Sequence, residues 1–484
     1  MSTRRKIAFN IFYLAAGQGL SWLLASVVVL VIPAYLGPEG MGMFSTVSAI
    51  SGVVAVLALL GTNVYLLREV AKNPQEAQEL VGSAVVLCVL AGLVCWSITL
   101  IVFIFSGVSD TMHQLIYISA IGSILSVSVV PLRSALQGQD KMQYNLIEVL
   151  FSKGLSTVLV FVVIALNMGI LVLAGSGLLA IIPTIFIFWR AFLKNGKTKV
   201  AKDVSTYVKL VKGGYYFLIT DISFNIYLYL DTMLLAAFTN DRIVGYYSLP
   251  VRLFGSLLIA PVIVGQALLP SLSRSAANNE AENNMLARKL LQFLICLSIP
   301  IAVGTSVMAG PLIETLYKGE FNPSIPILII LGWTTIPTYL GIGLYQILVA
   351  QDRQKSWTKV MVMAIFINLG LNVILIPLYQ NMTGDGAVGA AISQLATEVI
   401  IGICGFIIIG SSILNKSLLL IIVKSAAAAL VMAAVIWPLR EQFILLPVLL
   451  GVAIYGVLSI PLFGLDGEIK QMFKKFTAQR LKAN

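Results

Sequence analysis

LVGSAVVLCVLAGLVCWSITLIVFIF, residues 80–105, carries no charged side chain from end to end. A helix needs about 20 apolar residues to cross the hydrocarbon of a bilayer, so this stretch is long enough to span one. Its flanks differ. Arg68 and Lys72 stand before it, whereas the loop after it, SGVSDTMH (106–113), holds no lysine or arginine. Similar stretches recur near 9–33, 44–67, 114–136, 143–166, 170–190, 213–238, 246–270, 288–310, 324–349, 357–378, 386–410, 417–437 and 442–464. With 80–105 they give fourteen expected transmembrane helices, and the fold class is all-α integral membrane. Composition agrees: 11% of residues are charged and 58% hydrophobic, against roughly a quarter charged in soluble proteins. Mean hydropathy is +0.95.

A formal net charge of +11 would suit a nucleic-acid binder, but the cations follow the spans. Arg4, Arg5 and Lys6 precede the first span. The 191–212 linker is rich in lysine, and Lys470, Lys474, Lys475, Arg480 and Lys482 follow the last span. Of 32 Lys and Arg, the opposite face receives only Arg242, Lys318 and Arg440, while Lys153, Arg252 and Lys424 fall inside spans. This is the positive-inside pattern, which puts both termini in the cytoplasm and excludes nucleic acid as a partner. The basic start resembles that of a signal peptide, yet its apolar run is too long and lacks a small-residue cleavage site. It is expected to remain as a helix.

Loops on the cation-poor face are short, at 36–43, 106–113, 167–169, 239–245, 311–323, 379–385 and 438–441, and leave no room for a catalytic domain. Cys88, Cys95, Cys296 and Cys404 lie within spans without metal or disulfide spacing, and His113 stands alone. No nucleotide loop, zinc-protease motif or nucleophile elbow is present. The expectation is a chain that is not an enzyme and needs no cofactor.

The basic linker divides the chain. We expect an N-lobe at 1–200, a C-lobe at 201–411, and a third part, 412–484, with the last two spans and a basic tail. A weak internal repeat supports the lobes. Gly42-Met43-Phe44-Ser45 resembles Gly245-Tyr246-Tyr247-Ser248, and Gln139-Asp140-Lys141 resembles Gln351-Asp352-Arg353. Both matches pair positions six spans apart, as in two parallel-repeat six-helix lobes with a substrate site between them.

An intramembrane charge costs at least about 2.5–3.5 kcal/mol near the bilayer centre, so it is paired or functional. The spans hold Glu148, Lys153, Asp221, Asp231, Arg252, Glu398 and Lys424. At 100° per residue, Asp221, Asn225, Leu228 and Thr232 share one face of the seventh span, with Tyr229 and Asp231 at its margins. Rings beside amides and hydroxyls suit sugar. Asp231 and Arg252 sit at similar depth on a helical hairpin, and either lock it or bind ligand. Lys153 is about 15 Å deep, a candidate for an anionic headgroup unless a neighbouring carboxylate pairs it. Glu148 lies 140° away round the helix and is not expected to be that partner. Glu398, one turn beyond Gln394, either carries a coupling ion or is held neutral by a hydrogen bond. Lys424 is close enough to the surface to snorkel. Asn368 and Asn372 read as helix-bonding amides. Asn10, Tyr13, Gly17 and Ser21 form a small polar stripe on the first span.

Eight segments together resemble the polysaccharide transporter family, the O-antigen and lipid-linked oligosaccharide flippases of the multidrug/oligosaccharidyl-lipid/polysaccharide exporter superfamily. They are YLGPEGMGMFS (35–45), LLREVAK (66–72), RSALQGQDKMQYNLIE (133–148), LDTMLLAAF (230–238), VGYYSLPVRL (244–253), LYKGEF (316–321) and NLGLNVILIPLY (368–379) followed by GAVGAAISQLATE (386–398). The resemblance implies two six-helix lobes round a cavity that opens alternately to either side, and two further helices holding a lipid tail. It implies a polyprenyl-pyrophosphate-linked oligosaccharide substrate, a bacterial or archaeal cytoplasmic membrane, and work beside glycan polymerase machinery. Members often carry Arg where Tyr35 stands here, which leaves Lys153 and Arg252 as the cations for the headgroup. Asp221, Asn225, Tyr229 and Asp231 complete the expected substrate site, with Glu398 or Asp221 for ion coupling.

Three rivals remain. A cation-coupled multidrug antiporter of the same superfamily would use Asp221 and Asp231 for its cation. A major facilitator is disfavoured by REVAKNPQEAQE (68–79) after the second span, which lacks that family's Gly/Asp-Arg pattern. A membrane glycan polymerase or ligase would need a larger outward loop.

Overall fold

The computed structural model describes residues 3–194, 199–410, 413 and 416–459. Lys197 of the linker, the end of the 442–464 stretch and the basic tail lie outside them. In chain order the helices are α1 (Thr3–Leu59), α2 (Thr62–Lys72), α3 (Ala77–Ile104), α4 (Asp110–Gly138), α5 (Gln143–Glu148), α6 (Leu155–Ala165), α7 (Gly169–Leu193) and α8 (Val204–Phe238). They continue with α9 (Asp241–Leu257), α10 (Ile259–Asn278), α11 (Glu280–Tyr317), α12 (Ser324–Ala350), α13 (Gln354–Thr383), α14 (Gly386–Ile409), α15 (Lys416–Ile436) and α16 (Leu445–Ser459). A π-helical turn, Val149–Gly154, joins α5 to α6. Among the described residues there is no strand.

Among the described residues, twelve helical segments are long and apolar enough to cross a membrane, some of them built from two consecutive helices, as α9 with α10, so the expected fourteen are not resolved one by one. Two places account for the difference. The stretch 9–33 lies in the first part of α1, and 44–67 begins in α1 after a kink at Gly37 and ends in α2, so the two run together as one element although the backbone at Gly37 is not helical. The expected loop at 36–43 is instead a sharp bend inside α1. Gly37 takes φ 65° and ψ 179°, a conformation open to glycine, and Pro38 after it has no N–H to give the helix. At the other end, α16 is described for only 15 residues.

The chain forms two compact units, Met1–Ser248 and Leu249–Asn484. In the first, the deciding stretch shows how the bundle is built. On α3, Val81, Ala84, Val85, Cys88, Gly92 and Trp96 are buried at helical spacing, while Leu90, Leu93, Val94, Ile98, Ile101 and Val102 are exposed. The small residues Ala84, Cys88 and Gly92 let neighbouring helices come close on the protein side, as close packing drives association in lipid, while long aliphatic residues face outward. One core joins Leu66, Val81, Leu132, Leu136, Phe188 and Phe192 near the basic loops. Another joins Val47, Trp96, Leu115 and Ile116 near the opposite ends.

The internal repeat is visible as geometry. At the end of α4, Asp140 takes φ 60°, and at the end of α12, Asp352 takes φ 57°. Lys141 N donates to Leu136 O at 2.9 Å, and Arg353 N donates to Leu348 O at 2.8 Å. Both are the six-to-one bond of a Schellman cap, with aspartate in the left-handed position it tolerates better than most residues. The glycines of the other match meet each other. A methyl on Gly42 would run into the Asp241 carbonyl, 2.6 Å from its carbon, and one on Gly245 would lie 2.6 Å from the Pro38 carbonyl carbon. Pro38 and Gly42 are the repeat equivalents of Asp241 and Gly245, so the contact is reciprocal. A local two-fold axis produces that arrangement.

The RSALQGQDKMQYNLIE segment closes a helical hairpin. Arg133 pairs with Glu148 at 3.0 Å, and Gln137 Nε2 donates to Asn145 Oδ1 at 2.7 Å. The ion pair is part-exposed, 36% and 24% for the two side chains, so Arg133→Gln is expected to cost about 1 kcal/mol. Thermal unfolding in detergent should show a lower midpoint for the single variant and recovery when Glu148→Gln is added. An unchanged midpoint in the single variant would discount the pair.

In the second unit, α15 and α16 are fastened to α11. Gln292 Nε2 donates to Ser417 Oγ at 3.1 Å, Cys296 Sγ meets Ser425 Oγ at 2.8 Å, and the Tyr455 hydroxyl donates to the Cys296 carbonyl at 2.7 Å. Cys296 therefore serves as a packing and hydrogen-bonding residue.

Candidate functional site

Lys153 lies on the π-helical turn between α5 and α6. Such turns widen the helix by one residue and recur at functional sites. The Thr157 hydroxyl, one turn on, donates to Lys153 O at 2.8 Å. The Lys153 ammonium donates to Ser21 Oγ at 2.5 Å, uniting it with the polar stripe on α1. Gly17, one turn earlier on that stripe, packs on the Leu146 backbone of α5. Around Lys153 is a pocket of about 270 Å³ whose wall includes Ser126, Ser152, Ser156 and Thr157. No carboxylate pairs with Lys153 among the described residues, and Glu148 is turned to Arg133 instead.

The polar residues of α8 are divided among several neighbours. Asp221 Oδ2 accepts from Asn63 Nδ2 of α2 at a long 3.4 Å, and Asn225 Nδ2 donates to the Asp221 carbonyl at 2.9 Å. The Tyr229 ring lies against the bare backbone of Gly52 on α1. Asp231 is only 5% exposed and accepts from the Tyr247 hydroxyl of α9 at 2.9 Å. Asp221 and Asp231 are ten residues apart, about 15 Å along the helix. Arg252 is half-buried on α9, in the stretch that belongs to the second compact unit.

Glu398 on α14 is 7% exposed and accepts from Gln394 Nε2 at 3.4 Å. One residue before it, Thr397 Oγ1 accepts from Asn368 Nδ2 of α13 at 3.4 Å. Asn372 Nδ2 donates to the Asn368 carbonyl and to Asn368 Oδ1, both at 3.0 Å. Both amides are fully buried; Asn368 bonds α13 to α14, and Asn372 braces it from within α13. Tyr35, at the position where a cation was considered, uses its hydroxyl to accept from Gly169 N at 2.7 Å and so fixes the start of α7. Ser21 and Tyr35 gain their roles from partners more than a hundred residues away. The polar stripe on the first span marks Ser21, but nothing local in the sequence names either residue's partner.

Long apolar helices joined by a few buried polar contacts define a multi-pass membrane protein. The fold is shared with a solved lipid II flippase MurJ in an inward closed conformation, at TM-score 0.73 and 16% identity over 94% of this chain and 99% of that one. It is shared also with an inward-facing multidrug resistance MATE family transporter of the MOP superfamily, at 0.64 and 14% over 82% and 96%. The chain itself belongs to the family described as polysaccharide biosynthesis protein, whose model matches residues 7–276. An Escherichia coli (strain K12) relative described as "Putative O-antigen transporter" is 22% identical over 414 residues, 81% of this chain and 94% of the relative. A Haloferax volcanii relative described as "Probable low-salt glycan biosynthesis flippase Agl15" is 22% identical over 372 residues, 74% of each.

Proposed function

We propose that the chain is a flippase carrying a polyprenyl-pyrophosphate-linked oligosaccharide across the cytoplasmic membrane by alternating access. Lys153 carries the reading: an ammonium about 15 Å deep, held by a hydroxyl and facing a hydroxyl-lined pocket, calls for an anion to offset its charge. Lys153 and Arg252 take the pyrophosphate, and Asp221, Asn225, Tyr229 and Asp231 meet the sugars, while the prenyl chain stays in lipid. The lobes that rock are 1–200 and 201–411, and residues 412–484 serve the lipid tail. Both termini are cytoplasmic, and the chain transports without catalysing a reaction, beside glycan polymerase machinery.

Deleting the gene tests this directly. The lipid-linked oligosaccharide is expected to accumulate on the inner leaflet, and a cell that instead retains dye or drug, with no accumulation, would favour the cation-coupled antiporter. That second reading draws on the shared MATE fold and on the carboxylates. Glu398 or Asp221 would carry a coupling ion in either case. In vesicles, Glu398→Gln should then make flipping indifferent to an imposed proton or sodium gradient, and a gradient response equal to that of the parent would remove Glu398 from this role.

A further inference from the structure

The loops rich in cations lie at the N-terminal ends of α11 and α15 and at the C-terminal end of α12. At the other ends of these three helices is a second pocket, of about 510 Å³, within the roughly 300–1,000 Å³ range of small-ligand clefts. One wall is apolar, formed by Val307, Ile325 and Ile329, and the rim is charged, formed by Glu314, Arg440 and Glu441. The turn after α15 shapes the rim. There the Arg440 guanidinium lies 4.0 Å from the centre of the Trp437 ring, a cation–π contact, and 3.8 Å from the Glu441 carboxylate. Glu314 has no cation within ion-pair distance among the described residues. Trp437 is 54% exposed, and the neighbouring Phe443 and Leu445 are exposed too. Tryptophan at the end of a membrane helix marks headgroup depth.

We propose that this pocket binds the headgroup of a zwitterionic phospholipid, one with a phosphate diester and a primary amine. The signs select it. A purely anionic headgroup would meet two carboxylates against one guanidinium, and a purely cationic one would meet Arg440. A headgroup with both charges puts its phosphate on Arg440, a geometry that the guanidinium fork favours, and its ammonium on Glu314. The apolar wall then takes the glycerol and the first acyl methylenes. The site shares no residue with the Lys153 pocket or the carboxylates of α8, and it does not depend on the flippase assignment.

Native mass spectrometry of the full chain, with phosphatidylethanolamine or phosphatidylglycerol of the same acyl chains added, reads the site. The chain is expected to retain phosphatidylethanolamine in preference. Arg440→Gln and Glu314→Gln should each weaken that retention about tenfold, the loss of one charge-assisted hydrogen bond. Both positions are on the rim, and an unchanged melting temperature confirms that each variant is folded. Equal retention of the two lipids, or unchanged retention in both variants, overturns the proposal. Displacement of the lipid by free phosphoethanolamine at matched concentration would overturn the lipid as the occupant.

Discussion

Lys153→Gln together with Arg252→Gln is expected to abolish glycan export while the protein reaches the membrane at its normal level. In the proposed site each cation would supply a charge-assisted hydrogen bond to the headgroup, about 1.5–3 kcal/mol apiece, so losing both would weaken binding by roughly 10²- to 10⁴-fold. Folding should survive at Lys153, because its ammonium is held by the Ser21 hydroxyl and a glutamine amide can keep that bond. The carbonyl of the π turn is held by Thr157 whatever side chain stands at 153. Single variants should fall between the parent and the double variant, and Arg252→Lys, which keeps the charge, should retain more export than Arg252→Gln. The measurements are surface glycan and membrane protein level in the same cells. A double variant present at normal level that still exports glycan would show the assignment of these two residues to be wrong.

Gly42→Ala and Gly245→Ala should each prevent accumulation of folded protein. In both cases the added carbon meets a backbone carbonyl group at 2.6 Å from its carbon, closer than real side chains come, and backbone cannot swing aside as a flexible side chain can. Overpacking costs typically 1–3 kcal/mol and occasionally more, and backbone against backbone puts these sites at about 3 kcal/mol or above. Gly19→Ala on α1 is the control, since a methyl there meets nothing within 4 Å. Yield after membrane extraction and melting temperature separate the three. If the Gly42 and Gly245 variants behave as Gly19→Ala does, the close approach of Pro38–Gly42 to Asp241–Gly245 is not present in the folded protein.

Hydropathy made the helices legible because the bilayer acts on every residue of a span alike, with no need to know the neighbours. The same property hid the bend at Gly37. A Gly-Pro-Glu-Gly run reads as a loop, yet only Gly37 has non-helical dihedral angles and helix stands on both sides of it. The candidate site was legible as a set of costly charges but not as contacts. Helical spacing put Asp221, Asn225 and Thr232 on one face of α8, but a 35-residue helix passes different neighbours at different depths. Asn63 meets Asp221 near one end and Tyr247 meets Asp231 near the other. The bond of Arg133 to Glu148 was likewise hidden, because it joins the two arms of a hairpin rather than neighbours on one helix.

The reciprocal meeting of Pro38 and Gly42 with Asp241 and Gly245 also bears on how such a chain can change. Elsewhere the two repeats can drift apart, because a substitution in one has no counterpart to answer to. Here a larger residue in either copy collides with the backbone of the other, so each copy polices its twin. A duplication that has lost nearly all its internal likeness therefore keeps a legible trace at the point where its two products touch.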